Sequence, residues 1–390
     1  MWKRAAVLGV VVLTCLQMHC AGRGAAGSTV TGVTIYKPEK CREGATLVPY
    51  EEGMILLIDM KGNVLHEWEI GTERARLLRN GNVLVMERNF MREYNWEGER
   101  VWEYEVPVKP DPDRGYPNPG LIHHDHFRLD NGNTIFIYHE DVPDAYIKSI
   151  KDPERRGMQI VGDCICEVNR AGEIVWEFHL HEHLDLNEYS PDAPADWTHT
   201  NTVRVLPENK WYDRGYAPFK PGNVVLCMRH LDKIMIIDRD TKEVIWTFRG
   251  DYLGGLGCPH EPYMIEKGLP GDGNILIFDN GVGPYARAAN RPETSVVLEI
   301  NPATKEIVWM YDEGEAFFSA IQGTQQRLPN GNTFICESTQ GRIFEVTPEK
   351  EIVWEYVMPP YPGSGEEHGF GTRPHRYAFD HCPQLAVIEH

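Results

Sequence analysis

The stretch IIDRDTKEVIWTF, residues 236–248, is a short apolar strand, a polar turn and a second strand that runs into Trp246. Ile236 and Ile237 are β-branched, Asp238 to Lys242 carry turn chemistry, and Val244 and Ile245 resume the extended pattern, so the segment encodes a β-hairpin. The same pattern recurs at LLIDMKGNVLHEW (56–68), REYNWEGERVWEY (92–104), CEVNRAGEIVWEF (166–178), LEINPATKEIVWMY (298–311) and FEVTPEKEIVWEY (344–356). Six copies of one hairpin decide the fold, because such a unit buries its faces only against its own copies.

Between the hairpins runs a second pattern, a strand entering an Asn-Gly-Asn turn and leaving as a longer apolar strand. It is clear at RLLRNGNVLVM (76–86), HFRLDNGNTIFI (126–137) and QRLPNGNTFIC (326–336). Looser versions are VRVLPENK (203–210) continued by PGNVVLC (221–227), MIEKGLPGDGNILIF (264–278) and the degenerate C-terminal HRYAFDHCPQLAVIE (375–389). A hairpin joined to such a pair makes four strands. The architecture that follows is all-β, a six-bladed β-propeller of four-stranded blades around a central channel, with few helices. The recurring Trp68, Trp102, Trp176, Trp246, Trp309 and Trp354 occupy equivalent positions and are expected to pack between blades. Residues 106–122, 139–162, 179–196 and 285–293 are expected as long rim loops, which commonly serve function. The histidine-rich run His179 to His183 reads as a solvated loop segment.

The chain has 390 residues, 42% hydrophobic and 25% charged, which describes a globular protein. Its formal net charge of −19 repels nucleic-acid backbones and anionic membrane surfaces, so an anionic substrate needs a local basic site. Residues 1–26 have the form of a secretory signal peptide, with Lys3 and Arg4, an apolar run from Ala5 to Leu16, and small residues beyond. Periplasmic or secreted location is expected, with no stable membrane insertion after cleavage. Residues 27–53 are read as a segment leading into the propeller, which is expected over 54–390. Seven cysteines remain beyond the signal, scattered rather than framed, and read as buried thiols.

Function is expected where equivalent positions stop being equivalent. Just ahead of the candidate innermost strands, successive repeats carry Thr72 to Arg74, His123-His124-Asp125, His199-Thr200-Asn201, His260-Glu261, Gln322 to Gln325, and His375-Arg376. Four of these six slots hold histidine. Pro259 and Pro262 stiffen the backbone around His260, and Arg229, at the far end of the NVVLC strand, offers a planar fork of donors for an oxyanion. The cluster is cationic within an acidic protein.

Four motifs, DWTHTN (196–201), MRHLDKI (228–234), HHDHFRLDNGN (123–133) and PHEPYMIEKGLPGDGNILIFDNG (259–281), together with VTIYKPEKC (33–41), resemble the bacterial arylsulfate sulfotransferase family. The resemblance spans most of the chain beyond the signal. It implies a propeller enzyme that moves a sulfuryl group from an aryl sulfate to a phenol, without a nucleotide donor, by a ping-pong route through a sulfohistidine. By motif position His260 is the nucleophile, and His124, His199 and Arg229 hold the sulfuryl oxygens. Asn201 assists in binding, and His123 is the one-residue alternative to His124. Family members carry a further N-terminal β-domain, for which the residues between the signal and the first strand are too few. A dimer built through it is therefore not expected.

The chemistry suits these residue types. Sulfuryl transfer spreads negative charge over peripheral oxygens, so positioning and electrostatic stabilisation dominate, and a neutral imidazole is available as a nucleophile near neutral pH. No GxxxxGK[ST] loop occurs, and neither cofactor nor metal is expected. Two other readings stay open on the residues alone. His124, His199, His260 and Asp125 could converge on a divalent ion in a metal-dependent hydrolase or lyase, or the propeller could be a non-catalytic binding module. Arg229 could equally bridge blades by a salt bridge. Among rim aromatics, Tyr116, Tyr146, Trp197, Tyr252 and Phe317 are the candidates to stack on an aryl ring. Natural donor, acceptor and oligomeric state are not written in the sequence.

Overall fold

The computed structural model describes residues 30–50, 53–281 and 292–388. The expected signal peptide, residues 1–26, and most of the expected 285–293 loop lie outside the described residues. Six antiparallel sheets form the blades of a propeller. Blade 2 is Ala75–Leu77, Val83–Glu87, Phe90–Tyr94 and Arg100–Glu105; blade 3 is Ile122–Arg128, Thr134–Asp141, Val161–Val168 and Ile174–His179. Blade 4 is Thr200–Val205, Val224–Met228, Lys233–Ile237 and Val244–Phe248; blade 5 is His260–Met264, Ile275–Asp279, Val296–Ile300 and Ile307–Tyr311. Blade 6 is Thr324–Arg327, Thr333–Glu337, Arg342–Val346 and Ile352–Val357.

Blade 1 corrects the reading of both termini. Its innermost strand is the C-terminal His375–Tyr377, and its second is Ala45–Tyr50, followed by Met54–Ile58 and Val64–Trp68. The C-terminal segment is thus one strand and a short helix, Pro383–Ala386, rather than a strand pair. The described part of the segment 27–53, expected to lead into the propeller, already contributes strands to it. Besides Ala45–Tyr50, Gly32–Tyr36 adds a fifth strand to the outside of blade 6 through pairs such as Tyr36 with Trp354. The ring is thus closed by both the N-terminal and the C-terminal described segments, one supplying the outermost strand of the blade 6 sheet and the other the innermost strand of blade 1.

The middle strands read as unbroken apolar runs because each blade is covered on both faces. Separate hydrophobic cores fill the spaces between successive blades: Ile137, Ile165, Leu226 and Met235 between blades 3 and 4, for example, and Ile335, Phe344, Phe278 and Val297 between blades 5 and 6. The repeated tryptophans clasp these spaces. Each indole N–H donates to a turn carbonyl of the next blade: Trp68 to Asn95 at 3.1 Å, Trp102 to Arg170 at 3.0 Å, Trp176 to Arg239 at 2.9 Å, Trp246 to Pro302 at 3.0 Å, Trp309 to Pro348 at 2.9 Å. Trp354 completes the circle by donating to Met60 of blade 1 at 2.8 Å. Each clasp contributes about 1 kcal/mol as a hydrogen bond, beyond the apolar area it buries.

Candidate active site

In blades 3, 4 and 5 the innermost strand slips out of register where it reaches the channel. His126 pairs with Phe136 but Ile122 already pairs with Tyr138; Thr200 pairs with Met228 but Thr202 with Cys227; His260 pairs with Phe278 but Tyr263 with Leu276. Such bulges add residues on one strand and re-aim their side chains. His124, His199 and Glu261 lie on or beside them with φ of 63°, 46° and 52°, a left-handed region costly for residues other than glycine. Local strain is thus concentrated at the axis.

The structure brings His124 and His199 into direct contact, Nε2 to Nε2 at 2.7 Å. His124 Nδ1 faces Glu73 Oε1 at 2.6 Å, and His199 Nδ1 faces Asp196 Oδ2 at 2.7 Å. These three contacts form one chain, Glu73–His124–His199–Asp196. Each contact needs one proton, and three protons are one more than two neutral imidazoles carry, so the chain stores an extra proton. Burial, with Asp163 nearby, raises the Asp196 carboxyl well above its ordinary range. Burial first, and then the nearness of His230, His124 and Arg229, push His199 well below its ordinary range. Both effects hold the extra proton on Asp196. At the other end burial alone would raise Glu73, but its close contact and hydrogen bond with His124 outweigh burial and lower its carboxyl below the ordinary range.

His260 is buried at 2% exposure. Its Nδ1 lies 2.9 Å from the Cys258 carbonyl and 2.7 Å from Asn280 Oδ1. The Asn280 orientation is fixed independently, since its Nδ2 donates to the carbonyls of Ser319 at 2.7 Å and Gln322 at 2.8 Å. Both neighbours of Nδ1 are therefore acceptors, so Nδ1 carries the proton and Nε2 keeps its lone pair. Burial, with Arg373 and Arg229 adding repulsion, holds the ring neutral well below the usual histidine range.

The other expected residues fall around this centre. Arg229 is buried on the short turn Arg229–Leu231, its backbone N–H donating to the His199 carbonyl at 3.2 Å and its Nη1 lying 3.5 Å from His230 Nε2. Asn201 commits one amide proton to the Pro259 carbonyl at 2.8 Å, so it braces the backbone just ahead of His260. His123 reaches Asp163 at 3.0 Å and stacks on His139 at 3.7 Å between ring centroids, with its ring edge-on to His199 at 6.3 Å. Of the adjacent pair it is His124 that meets His199. Among the aromatics, Trp197 and Phe317 are fully buried in inter-blade cores, Tyr146 packs against one, and Tyr252 lies beside another. Tyr116 alone of these five has a contact with a site histidine, its hydroxyl 3.5 Å from His199 Nδ1.

Beneath the histidines lies a buried ionic plug that sequence reasoning missed. Glu261 accepts from Arg74 at 3.0 Å, Arg204 at 2.6 Å and Arg373 at 2.6 Å, while Asp125 pairs with Arg74 at 3.0 Å, Arg76 at 3.1 Å and Arg204. Four guanidinium groups face two carboxylates, which leaves positive charge at the channel base of an acidic protein. Arg373 Nε and Nη2 are buried without hydrogen-bond partners. Asp196 and Glu73 lay within or beside quoted motifs, but only the folded contacts give them partners. Asn280 lay near the end of the quoted motif 259–281 without being singled out, and Arg373 lay in a stretch without any pattern.

These features define a six-bladed propeller with a histidine- and arginine-lined site on its axis. The sequence profile of the arylsulfotransferase (ASST) family matches residues 74–358, and the chain belongs to that family. It is therefore a sulfotransferase-family protein, as the motifs implied. No curated protein matches the chain. Among solved structures it is similar to a protein of unknown function from Bacteroides caccae, at 12% identity and a TM-score of 0.51, over 81% of this chain and 94% of that one. A streptogramin B lyase is similar at 15% identity and a TM-score of 0.44, over 86% and 84% of the two chains. A catalytically inactive virginiamycin B lyase variant from Staphylococcus aureus with quinupristin is similar at 13% identity and a TM-score of 0.43, over 86% and 90%. These likenesses concern the fold alone.

Proposed function

We propose that the protein transfers a sulfuryl group from an aryl sulfate to a phenolic acceptor by a ping-pong reaction through sulfated His260. The observation that carries this reading is the hydrogen bonding of His260, which leaves Nε2 as a neutral, buried lone pair beside Arg229 and Arg373. In the first half-reaction Nε2 forms a bond to sulfur as the aryl S–O bond breaks, and the phenolate leaves. The ring keeps its Nδ1 proton, because Asn280 and the Cys258 carbonyl accept hydrogen bonds but do not take protons. The intermediate is then an imidazolium N-sulfonate, a good leaving group, ready for the second transfer. In the second half-reaction the acceptor phenol loses its proton, its oxygen bonds to sulfur, and the N–S bond breaks.

The proton balance falls to the Glu73–His124–His199–Asp196 chain. Its stored proton passes to the departing phenolate and is recovered from the incoming phenol. His124, His199 and Arg229 bind the sulfuryl oxygens, and the excess charge of the arginine plug stabilises the anion from below. Tyr116, whose hydroxyl is 3.5 Å from His199 Nδ1, contacts the aryl ring in this reading. The basic and apolar N-terminal stretch supports export to the periplasm or beyond. A metal-dependent reading finds its best support in Asp196, His199 and His230, whose ligand atoms lie within 4.8 Å of one another, but Arg229 beside them disfavours a cation.

The test is peptide mass spectrometry after brief exposure to 4-nitrophenyl sulfate at neutral to basic pH. The expected result is one added SO3 on the His260 peptide, discharged by a phenol, and absent in His260→Ala with activity reduced more than about a thousandfold. Full activity in His260→Ala overturns the assignment.

A further inference from the structure

At the end of blade 3, away from the histidine chain, four metal-ligating side chains gather from three strands and a helical turn. Glu140 is the next-to-last residue of the second strand, Cys164 lies on the third, His179 closes the fourth, and His181 follows on Leu180–His183. Cys164 and His179 are direct cross-strand partners, and Glu140 lies two residues along from Tyr138, the other partner of Cys164. Alternation along the strands therefore puts all three strand residues on one face. The run expected to be a solvated loop is not one: His181 is 6% exposed, and Leu180 is fully buried.

The donor atoms of Glu140, Cys164 and His179 lie within 4.8 Å of one another. Glu140 Oε2 is 2.8 Å from His179 Nδ1, and Glu140 Oε1 is 3.0 Å from His181 Nδ1. The second contact is close without being aligned as a hydrogen bond, so His181 Nδ1 and Glu140 Oε1 are both buried without hydrogen-bond partners. His181 Nδ1 and Glu140 Oε1 thus face each other unsatisfied, next to the Glu140–Cys164–His179 group, and a cation held by that group and joined by His181 satisfies both. Two imidazoles, a thiolate and a carboxylate form a borderline-soft donor set of four, which selects zinc over calcium or magnesium. With Cys164 and Glu140 ionised, their two negative charges neutralise a divalent ion, so the buried site carries no net charge.

We propose that Glu140, Cys164, His179 and His181 form a closed, structural zinc site that anchors the connection leading to Asp196 and His199. Zinc forms bonds to one sulfur, two nitrogens and one oxygen, and the Cys164 thiol proton leaves to solvent. The site is separate from sulfuryl transfer. Its link to the axis is mechanical: Glu140 and Cys164 adjoin His139 and Asp163, whose side chains point to the opposite face and hold His123. Fixing one face fixes the strand positions that carry the other.

The full chain, loaded with zinc and passed over a chelating resin, is expected to retain one equivalent. Cobalt(II) in its place is expected to give the intense visible spectrum of tetrahedral coordination and a thiolate-to-cobalt charge-transfer band. Cys164→Ser removes that band, and His181→Gln weakens retention at least about tenfold. His179→Asn, at the most exposed ligand, serves as the variant least demanding on folding and weakens retention likewise. The proposal is overturned if the wild-type chain retains no metal or its cobalt form lacks the sulfur band. It is equally overturned if retention is unchanged in the variants, which would locate the ion at His123, His139 and Asp163 or at Asp196, His199 and His230.

Discussion

The Nε2 atoms of His124 and His199, 75 residues apart in the chain, lie 2.7 Å from each other across the junction of blades 3 and 4. Two imidazoles bonded in this way share one proton between them, so the state of either ring is set by the carboxylate behind the other. In the proposed reaction a sulfuryl group takes donors from both rings, which draws the stored proton inward from Asp196.

Asp196→Asn isolates that proton. The amide donates to His199 Nδ1 as the protonated carboxyl does, so folding and donor binding are expected to persist, but no proton can be released. The loss in kcat/KM is expected to be about 10²- to 10⁴-fold with aryl sulfates whose phenolates are poor leaving groups, and much smaller with 4-nitrophenyl sulfate. Equal losses across a donor series would exclude Asp196 as the proton store.

Asn280→Ala removes the acceptor that fixes the His260 tautomer while leaving the Cys258 carbonyl in place. Nε2 then spends part of its time protonated and non-nucleophilic. Single-turnover sulfation of His260 is expected to slow about tenfold or more, with little change in donor KM. A change confined to KM would show that Asn280 acts on binding alone.

Acid stability follows from the buried histidines. His139 is lowered to about 4 by burial and the neighbouring His123, and His230 to about 3 by burial and Arg229. Depressed folded-state values mean that the unfolded chain binds more protons below pH 6.5, so these groups contribute stability above that pH and lose it as pH falls toward 4 and 3. Each contributes on the order of a few kcal/mol. Chemical denaturation at pH 7 and pH 5 is expected to show the loss, and His139→Gln to flatten the dependence in the same interval; an unchanged slope would contradict the assignment.

The tryptophan clasps differ in burial, and their mutational costs follow. Trp354 is fully buried and closes the ring between blades 6 and 1, whereas Trp309 is partly buried on a surface junction. Trp354→Phe is expected to cost about 2–3 kcal/mol, from an orphaned carbonyl and lost packing, and Trp309→Phe about 1 kcal/mol or less. Denaturant midpoints with unchanged m-values measure both; equal costs would mean that closure of the ring adds nothing to the clasp.

The blades were legible because their code is local. Hairpin periodicity, Asn-Gly-Asn turns and a tryptophan at one repeat position each act over fewer than about twenty residues, and their recurrence specifies packing of like on like. The histidine slots were legible for the same reason, as departures from a repeat. His260, His199, His124 and Arg229 could be singled out as positions where neighbouring blades differ, and of these the structure joins His124 to His199 and the Arg229 backbone to the His199 carbonyl.

Other features depended on contacts between segments far apart in sequence. Ala45–Tyr50 carries no turn signature, and only pairing with His375–Tyr377 makes it a strand of blade 1. The choice of His124 over His123 depended on a bulge that turns adjacent residues to opposite partners, a matter of register that composition does not encode. Glu73, Asn280 and Arg373 belong to three different blade junctions, and their roles exist only once the ring closes and brings their polar atoms within about 3 Å of one partner or another. The sequence by itself determined the repeat and the kinds of side chain facing the channel. Tertiary structure decided which of them meet and where each proton resides, because hydrogen bonding is short-ranged and directional while the chain segments that supply its partners are distant.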